Sequence, residues 1–213
     1  MPWPTGTTLL VGDLARDMLL ALRGQWHGDA AVGVNANWLR LPLAATSIDA
    51  IVGDGALTVL PGQVAVTSCV RELARVLRPG GVLALRLFCP PPVAEQTHAV
   101  IADALAARVG GFHAWKWRLV MAMHAQQTAV TLGDIWRLFA ERVADRDALA
   151  RATGWSRAAI DTVDAYRDAS ARYSFVGVDA LAALMAPDFA LDSVAHGSYE
   201  LADRCPVVRF VRR

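Results

Sequence analysis

The stretch RELARVLRPGGVLALRLF (71–88) decides the fold. It opens inside a longer helical pattern, QVAVTSCVRELARVLRPGG (63–81), in which Val66, Val70, Leu73 and Leu77 share one stripe. Arg71, Glu72, Arg75 and Arg78 lie mostly off that stripe, as a half-buried helix requires. Pro79-Gly80-Gly81 is expected to end the helix, and VLALRLF (82–88) follows as a β run. A helix that turns tightly into a largely apolar strand is half of a strand–helix–strand unit of a parallel sheet covered on both faces.

Working outward, the same alternation fills residues 1–92. TTLLVG (7–12) is a β run, and DLARDMLLALRG (13–24) reads as a helix stopped by Gly24. AAVGV (31–35) and SIDAIVG (47–53) are two more β runs. Residues 93–186 are almost entirely helical, with a capping box expected at Thr131/Asp134 and an N-cap at Ser156. Short helices joined by Gly-containing turns suit a cover over a cleft, and equally an ordinary helical layer. In residues 187–213, FALDSVAHGSYEL and CPVVRFVRR are separated by ADR and should pair antiparallel. The expectation is one domain in three parts: 1–92 α/β, 93–186 helical, and 187–213 a β-hairpin at the edge of a mostly parallel sheet.

Composition narrows the function. Apolar residues make up 54% and charged residues 19% of the 213, enough for a sizeable core. Lys+Arg is 21 against Asp+Glu 20, which argues against coating nucleic acid or an anionic membrane by bulk charge. The three cysteines, Cys69, Cys89 and Cys205, have neither disulfide-framework number nor metal-ligand spacing, and no metal is expected. No apolar stretch has the length of a membrane span, and MPWPTGTTLLVGD lacks the basic start of a secretory signal. A cytoplasmic protein is expected.

Three stretches in order resemble the class I S-adenosylmethionine (SAM) dependent methyltransferases, with a Rossmann-like fold. LLVGDLARDML (9–19) resembles the family's second strand, whose terminal acid accepts from the cofactor ribose; the matching residue is Asp13, followed by Leu14. Asp13 also suits a helix N-cap. NANWLRLPLAATSIDAIVGDGALTVLP (35–61) resembles the adenine-contacting run and the fourth strand. The resemblance assigns Asn37 and Trp38 to the adenine, although the family's residue at the first position is usually Asp and Trp38 is as well suited to core packing. Gly53 and Asp54 follow the fourth strand at the mouth of the expected cleft, where Asp54 is a candidate contact for the methionine end or a substrate and equally a solvent-exposed turn aspartate. RELARVLRPGGVLALRLF is the most recognisable of the three and binds nothing. The resemblance covers about 1–92 and 187–213; for 93–186 it rests on position alone.

One part of the family pattern is missing. A first strand with a Gly-rich loop should precede the ribose acid by roughly 20 residues, yet Asp13 has only 12 residues before it, without GxG. MPWPTG looks like the end of a later loop. Strands lie about 4.8 Å apart, so loss of this central strand leaves a gap two spacings wide. Its neighbours would close up, another chain would donate the strand, or the sequence is an N-terminally shortened form of a longer protein.

In the helical middle, FHAWKWRLVMAMHAQQ (112–127) concentrates aromatic, basic and histidine residues. Trp117, Arg118 and Tyr173 are candidate substrate contacts, each also readable as a structural residue. His113, His124 and Asp54 are weak candidates for a general base. Methyl transfer needs no nucleophilic side chain, since positioning and water exclusion supply most of the rate. The expected function is SAM-dependent methyl transfer to a small molecule. The alternative is a non-catalytic methyltransferase-like subunit, a homodimer or a complex with a partner protein that completes the sheet.

Overall fold

The computed structural model describes residues 3–26, 30–127 and 130–213. Met1 and Pro2 of the MPWPTG reading lie outside the described residues. The first unit is strand β1 (Thr8–Asp13), helix α1 (Arg16–Leu22) and strand β2 (Ala30–Asn35). β1 and β2 pair in parallel, from Thr8↔Ala30 to Asp13↔Asn35. Gly24 does not stop the helical run; a 3-10 turn over Arg23–Gln25 extends it. This unit buries little, Leu19 being the buried side chain of α1.

The second unit is a four-stranded sheet of order β3-β4-β6-β5. Strand β3 (Ile48–Asp54) runs through helix α2 (Gly62–Val76) into β4 (Leu77–Arg86), and the two strands pair in parallel. Helix α2 ends at Val76, before the Pro79-Gly80-Gly81 that the sequence pattern takes as its stop. Leu77 is fully buried and already extended, paired with Ile48, while Val82 pairs with Ala50. Arg78-Pro79-Gly80-Gly81 is therefore not a helix stop but an excursion within β4 opposite the single residue Asp49. Gly80 supplies the φ of +74° this needs, and Arg78 pairs with Asp49 at 2.7 Å across it.

Residues 97–161 carry helices α3 (Thr97–Leu105), α4 (Phe112–Gln126), α5 (Leu132–Arg142), α6 (Arg146–Thr153) and α7 (Arg157–Asp161). The Thr131/Asp134 capping box and the Ser156 N-cap are both formed. These helices have their own aromatic core, in which Phe112, Trp115, Phe139 and Trp155 meet ring to ring. Helix α8 (Val178–Met185) departs from the expected grouping. Its Leu181 and Met185 pack into the sheet core with Val70, Leu83 and Phe210. The chain closes with β5 (Phe189–Ala195) and β6 (Val207–Arg212), which pair antiparallel as expected, β6 also lying antiparallel to β4.

The two sheets are not joined. β1 pairs only with β2 and β3 only with β4 among the described residues, so β1 and β3 do not pair with each other. Successive carbonyls of a strand point to opposite sides. The Asp13 carbonyl faces β2, where it accepts from Ala36 N–H, so the Leu10 and Gly12 carbonyls face the open edge of β1. Gly55 N–H donates to Arg86 on β4, which turns the amides of Ala50, Val52 and Asp54 to the open edge of β3.

Candidate functional site

The site residues fall on both units. At the C-terminal end of β1, Asp13 turns the chain into α1: its Oδ1 accepts from Ala15 N–H at 2.7 Å. Its Oδ2 has no hydrogen-bond partner among the described residues. Asp13 is therefore not the N-cap of α1, which is Ala15 and carries no side-chain cap bond; its carboxylate makes a two-residue turn ahead of the helix. Leu14 projects into solvent, and its carbonyl accepts from Asn35 Nδ2 at 2.7 Å. Asn37 is exposed, and its Oδ1 accepts from Leu39 N–H at 2.9 Å, leaving Nδ2 as its unengaged group.

Trp38 is half-buried against the sheet core, and its Nε1 donates to the Gly12 carbonyl at 2.9 Å. That carbonyl belongs to the open edge. The indole therefore takes the place of one amide of an adjacent strand and ties the first unit to the second.

The ends of β3 and β4 form the other half. Asp54 is not free: Arg86 donates to it through Nε (2.5 Å) and Nη2 (2.9 Å). Arg86 also donates to the Tyr199 hydroxyl at 3.4 Å and lies over the Phe88 ring at 5.4 Å. Burial opposes the Arg86 charge, but the hydrogen bonds to Asp54 and Tyr199 outweigh it and raise its pKa. Both oxygens of the Asp54 carboxylate are thus engaged by one guanidinium. Gly53 is packed tightly, since a Cβ there would sit 2.8 Å from Leu85 Cδ2. Gly55 has φ +63°, and its missing Cβ leaves room for the Phe88 ring.

Helix α4 lies over these strand ends. Trp117 stacks on Phe88 at 4.0 Å between centroids and meets Tyr173 at 4.9 Å. Arg118 is engaged with Glu95 and Asp103 and is a structural cation rather than a free anion holder. Tyr173 shares a hydroxyl hydrogen bond of 2.9 Å with Tyr166, and burial raises the pKa of both phenols. His113 is exposed, with its ring edge-on to Phe112, and touches none of the strand-end residues. His124 lies edge-on to Phe175 at 5.2 Å, and burial lowers its pKa. Arg86, Phe88 and Tyr199 were not singled out from sequence. The signal for Arg86 is a lone cation inside the apolar run VLALRLF.

No group of three or more His, Cys, Asp or Glu that could hold a metal occurs among the described residues. Nor is any described helix long and apolar enough to cross a membrane.

Residues 4–85 match a family model described as a methyltransferase domain. No curated protein matches the chain. Among solved structures, a SAM-dependent methyltransferase from Methanosarcina mazei is 13% identical, with TM-score 0.55, and the match covers 97% of this chain and 82% of that one. The 1,6-didemethyltoxoflavin-N1-methyltransferase of Burkholderia thailandensis, with bound 1,6-didemethyltoxoflavin and S-adenosylhomocysteine, is 13% identical at TM-score 0.53. That match covers 98% of this chain and 62% of that one. The N-methyltransferase NodS of Bradyrhizobium japonicum WM9, in complex with S-adenosylhomocysteine, is 12% identical at TM-score 0.50, covering 96% of this chain and 66% of that one. At these identities the likeness is one of fold.

Proposed function

Because the chain has the fold of the class I SAM-dependent methyltransferases, with the methyltransferase-domain match over residues 4–85, we propose that it is built for methyl transfer from SAM to a small-molecule acceptor. The observation that carries this reading is Asp13. Its carboxylate ends β1 with one oxygen fixed by Ala15 N–H and the other without a protein partner among the described residues, which is how a carboxylate is prepared for vicinal hydroxyls.

The residues fit the adenosine half of the cofactor. Asp13 would hold the ribose, while Asn37 Nδ2 and the Trp38 ring face would border the base. They fit the methionine half less well, because Asp54 is spent on Arg86. SAM supplies a methyl group already made electrophilic by its sulfonium. The chain's task is then to orient the acceptor and exclude water. Phe88, Trp117 and Tyr173 supply an apolar wall at the strand ends for that purpose. His124 and His113 stand away from the Asp54–Arg86 pair, and no proton acceptor is assigned.

Calorimetric titration of the folded 213-residue chain with SAM and S-adenosylhomocysteine tests the reading. Micromolar binding is expected, weakened about 10- to 100-fold by Asp13→Ala, the range for a hydrogen bond to a charged group. A folded chain that binds neither nucleotide refutes it.

The open edges of β1 and β3 favour a second reading, a methyltransferase-like subunit whose sheet is completed by a strand from another chain. Sedimentation of the full chain at increasing concentration separates the cases: self-association accompanied by protection of the Leu10 and Val52 amides supports a second copy as the donor.

A further inference from the structure

A cavity of about 580 Å³ lies between the start of α2, helix α8 and the strap 172–177. It shares no residue with Asp13, Asn37, Trp38 or Asp54, and has Tyr173 in common with the apolar wall at the strand ends. Its volume is within the range of about 300–1,000 Å³ common to small-molecule sites. Most of its wall is apolar, from Leu57, Val66, Val176, Ala180 and Leu184.

The strap that closes it is fixed in place. Ser174 N–H donates to the Thr58 carbonyl at 2.7 Å. Ser174 Oγ donates to the Leu60 carbonyl (2.7 Å) and accepts from Gly62 N–H (3.1 Å). The cavity is thus preformed and needs no ordering when a ligand enters.

Two features define what it takes. Phe175 and His124 stand edge to face at 88° and present ring surface to the cavity. Arg172, on the same lining, has no ion pair among the described residues. The carboxylate that feels its charge, Asp134, is already held by Thr131 and Arg137. An unpaired guanidinium beside an apolar, aromatic cavity is a preformed partner for a carboxylate. Trp117, stacked on Phe88 at the strand ends, meets Phe175 of this lining at 6.3 Å.

We infer that this cavity is a second small-molecule site, separate from the adenosine half, that takes a flat aromatic body carrying one carboxylate, with the ring against Phe175 and His124 and the carboxylate on Arg172. The inference does not depend on methyl transfer.

The test is calorimetric titration of the full chain, without nucleotide, with 2-naphthoate and with uncharged 2-naphthamide. Naphthoate is expected to bind at least tenfold more tightly than the amide. Arg172→Gln should remove that tenfold preference and leave the amide affinity unchanged. Ala180→Trp, which fills the cavity from an exposed position on α8, should abolish binding of both while far-UV circular dichroism and the melting temperature stay as in the parent. No naphthoate binding by the folded parent, equal affinity for acid and amide, an unaltered preference in Arg172→Gln, or undiminished binding in Ala180→Trp would each overturn the inference. Titration with SAM is a separate experiment, so its failure leaves these outcomes readable.

Discussion

Replacing Glu95 by Gln should cost about 2 kcal/mol, and the loss should disappear in acid. Glu95 lies where the chain leaves β4 for the helical cover. Its carboxylate accepts from Arg118 of α4 and from Arg204 just before β6. The three side chains are 21%, 19% and 14% exposed, respectively. Exposed ion pairs contribute about 0–1 kcal/mol and breaking a buried pair costs about 3–5 kcal/mol. At one-fifth exposure the loss lies between. Arg118 keeps Asp103 at 2.8 Å, whereas Arg204 keeps only Asp203 at 3.9 Å, so one cation of the two is left poorly paired. For a chain of this size about 2 kcal/mol corresponds to a fall in melting temperature of about 4–8 °C.

Burial works to raise the Glu95 pKa, but the hydrogen bonds from Arg204 and Arg118 prevail and lower it from 4.5. A carboxylate whose folded pKa is lowered stabilises above its unfolded pKa, and that stability is lost as pH falls through the folded pKa. The gap between parent and Glu95→Gln should therefore be full above about pH 4.5 and close on further acidification. Urea unfolding of both proteins at pH 7 and pH 3 measures it. A difference under about 0.5 kcal/mol at pH 7, the ordinary scale of a neutral surface substitution, or an undiminished difference at pH 3, refutes the reasoning.

Gly55→Ala should cost about 2–4 kcal/mol in urea unfolding, because φ is +63° and the new Cβ would lie 2.6 Å from Phe88 Cε2. Trp115→Phe should cost about 2 kcal/mol by the same assay, since the buried Val100 carbonyl loses its 2.8 Å bond from Nε1. In amide exchange, Leu10, Ala50 and Val52 should exchange quickly and Leu83 and Leu85 slowly; equal protection would mean that the edges of β1 and β3 are covered.

The order of strands and helices was legible because short apolar runs and 3.6-residue stripes differ in period. The α2–β4 junction was not. Val76 and Leu77 are both fully buried, so the apolar pattern passes through the change from helix to strand without a break. Pro79-Gly80-Gly81 then reads as a helix stop when it is a bulge in the strand. The capping residues Thr131, Asp134 and Ser156 were readable because a cap is local. The Asp54–Arg86 pair was not, because it depends on the register of two strands joined through a whole helix. For the same reason Arg172 and His124, on different elements, could not be seen to meet at one cavity. The sequence allows Trp38 both adenine stacking and core packing; it packs against the sheet core and in addition donates to the open edge of β1.

That use of Trp38 bears on how the two units depend on each other. The unit β1–α1–β2 buries Leu19 and little else, while Leu10, Met18 and Val32 are 38%, 50% and 51% exposed. A pair of strands with so thin a core is marginal by itself. Its side-chain tie to the second unit, the Trp38 bond to Gly12, crosses the place where a strand would otherwise lie. Anything that reached across that place, a nucleotide on Asp13 or an added strand on the β1 edge, would bind the joined state in preference to a frayed one. It would stabilise the first unit through linkage, by about 2.7 kcal/mol at one hundred times its dissociation constant. The two functional readings therefore share one physical cause: the same open edge that weakens the first unit makes its order responsive to whatever fills the gap.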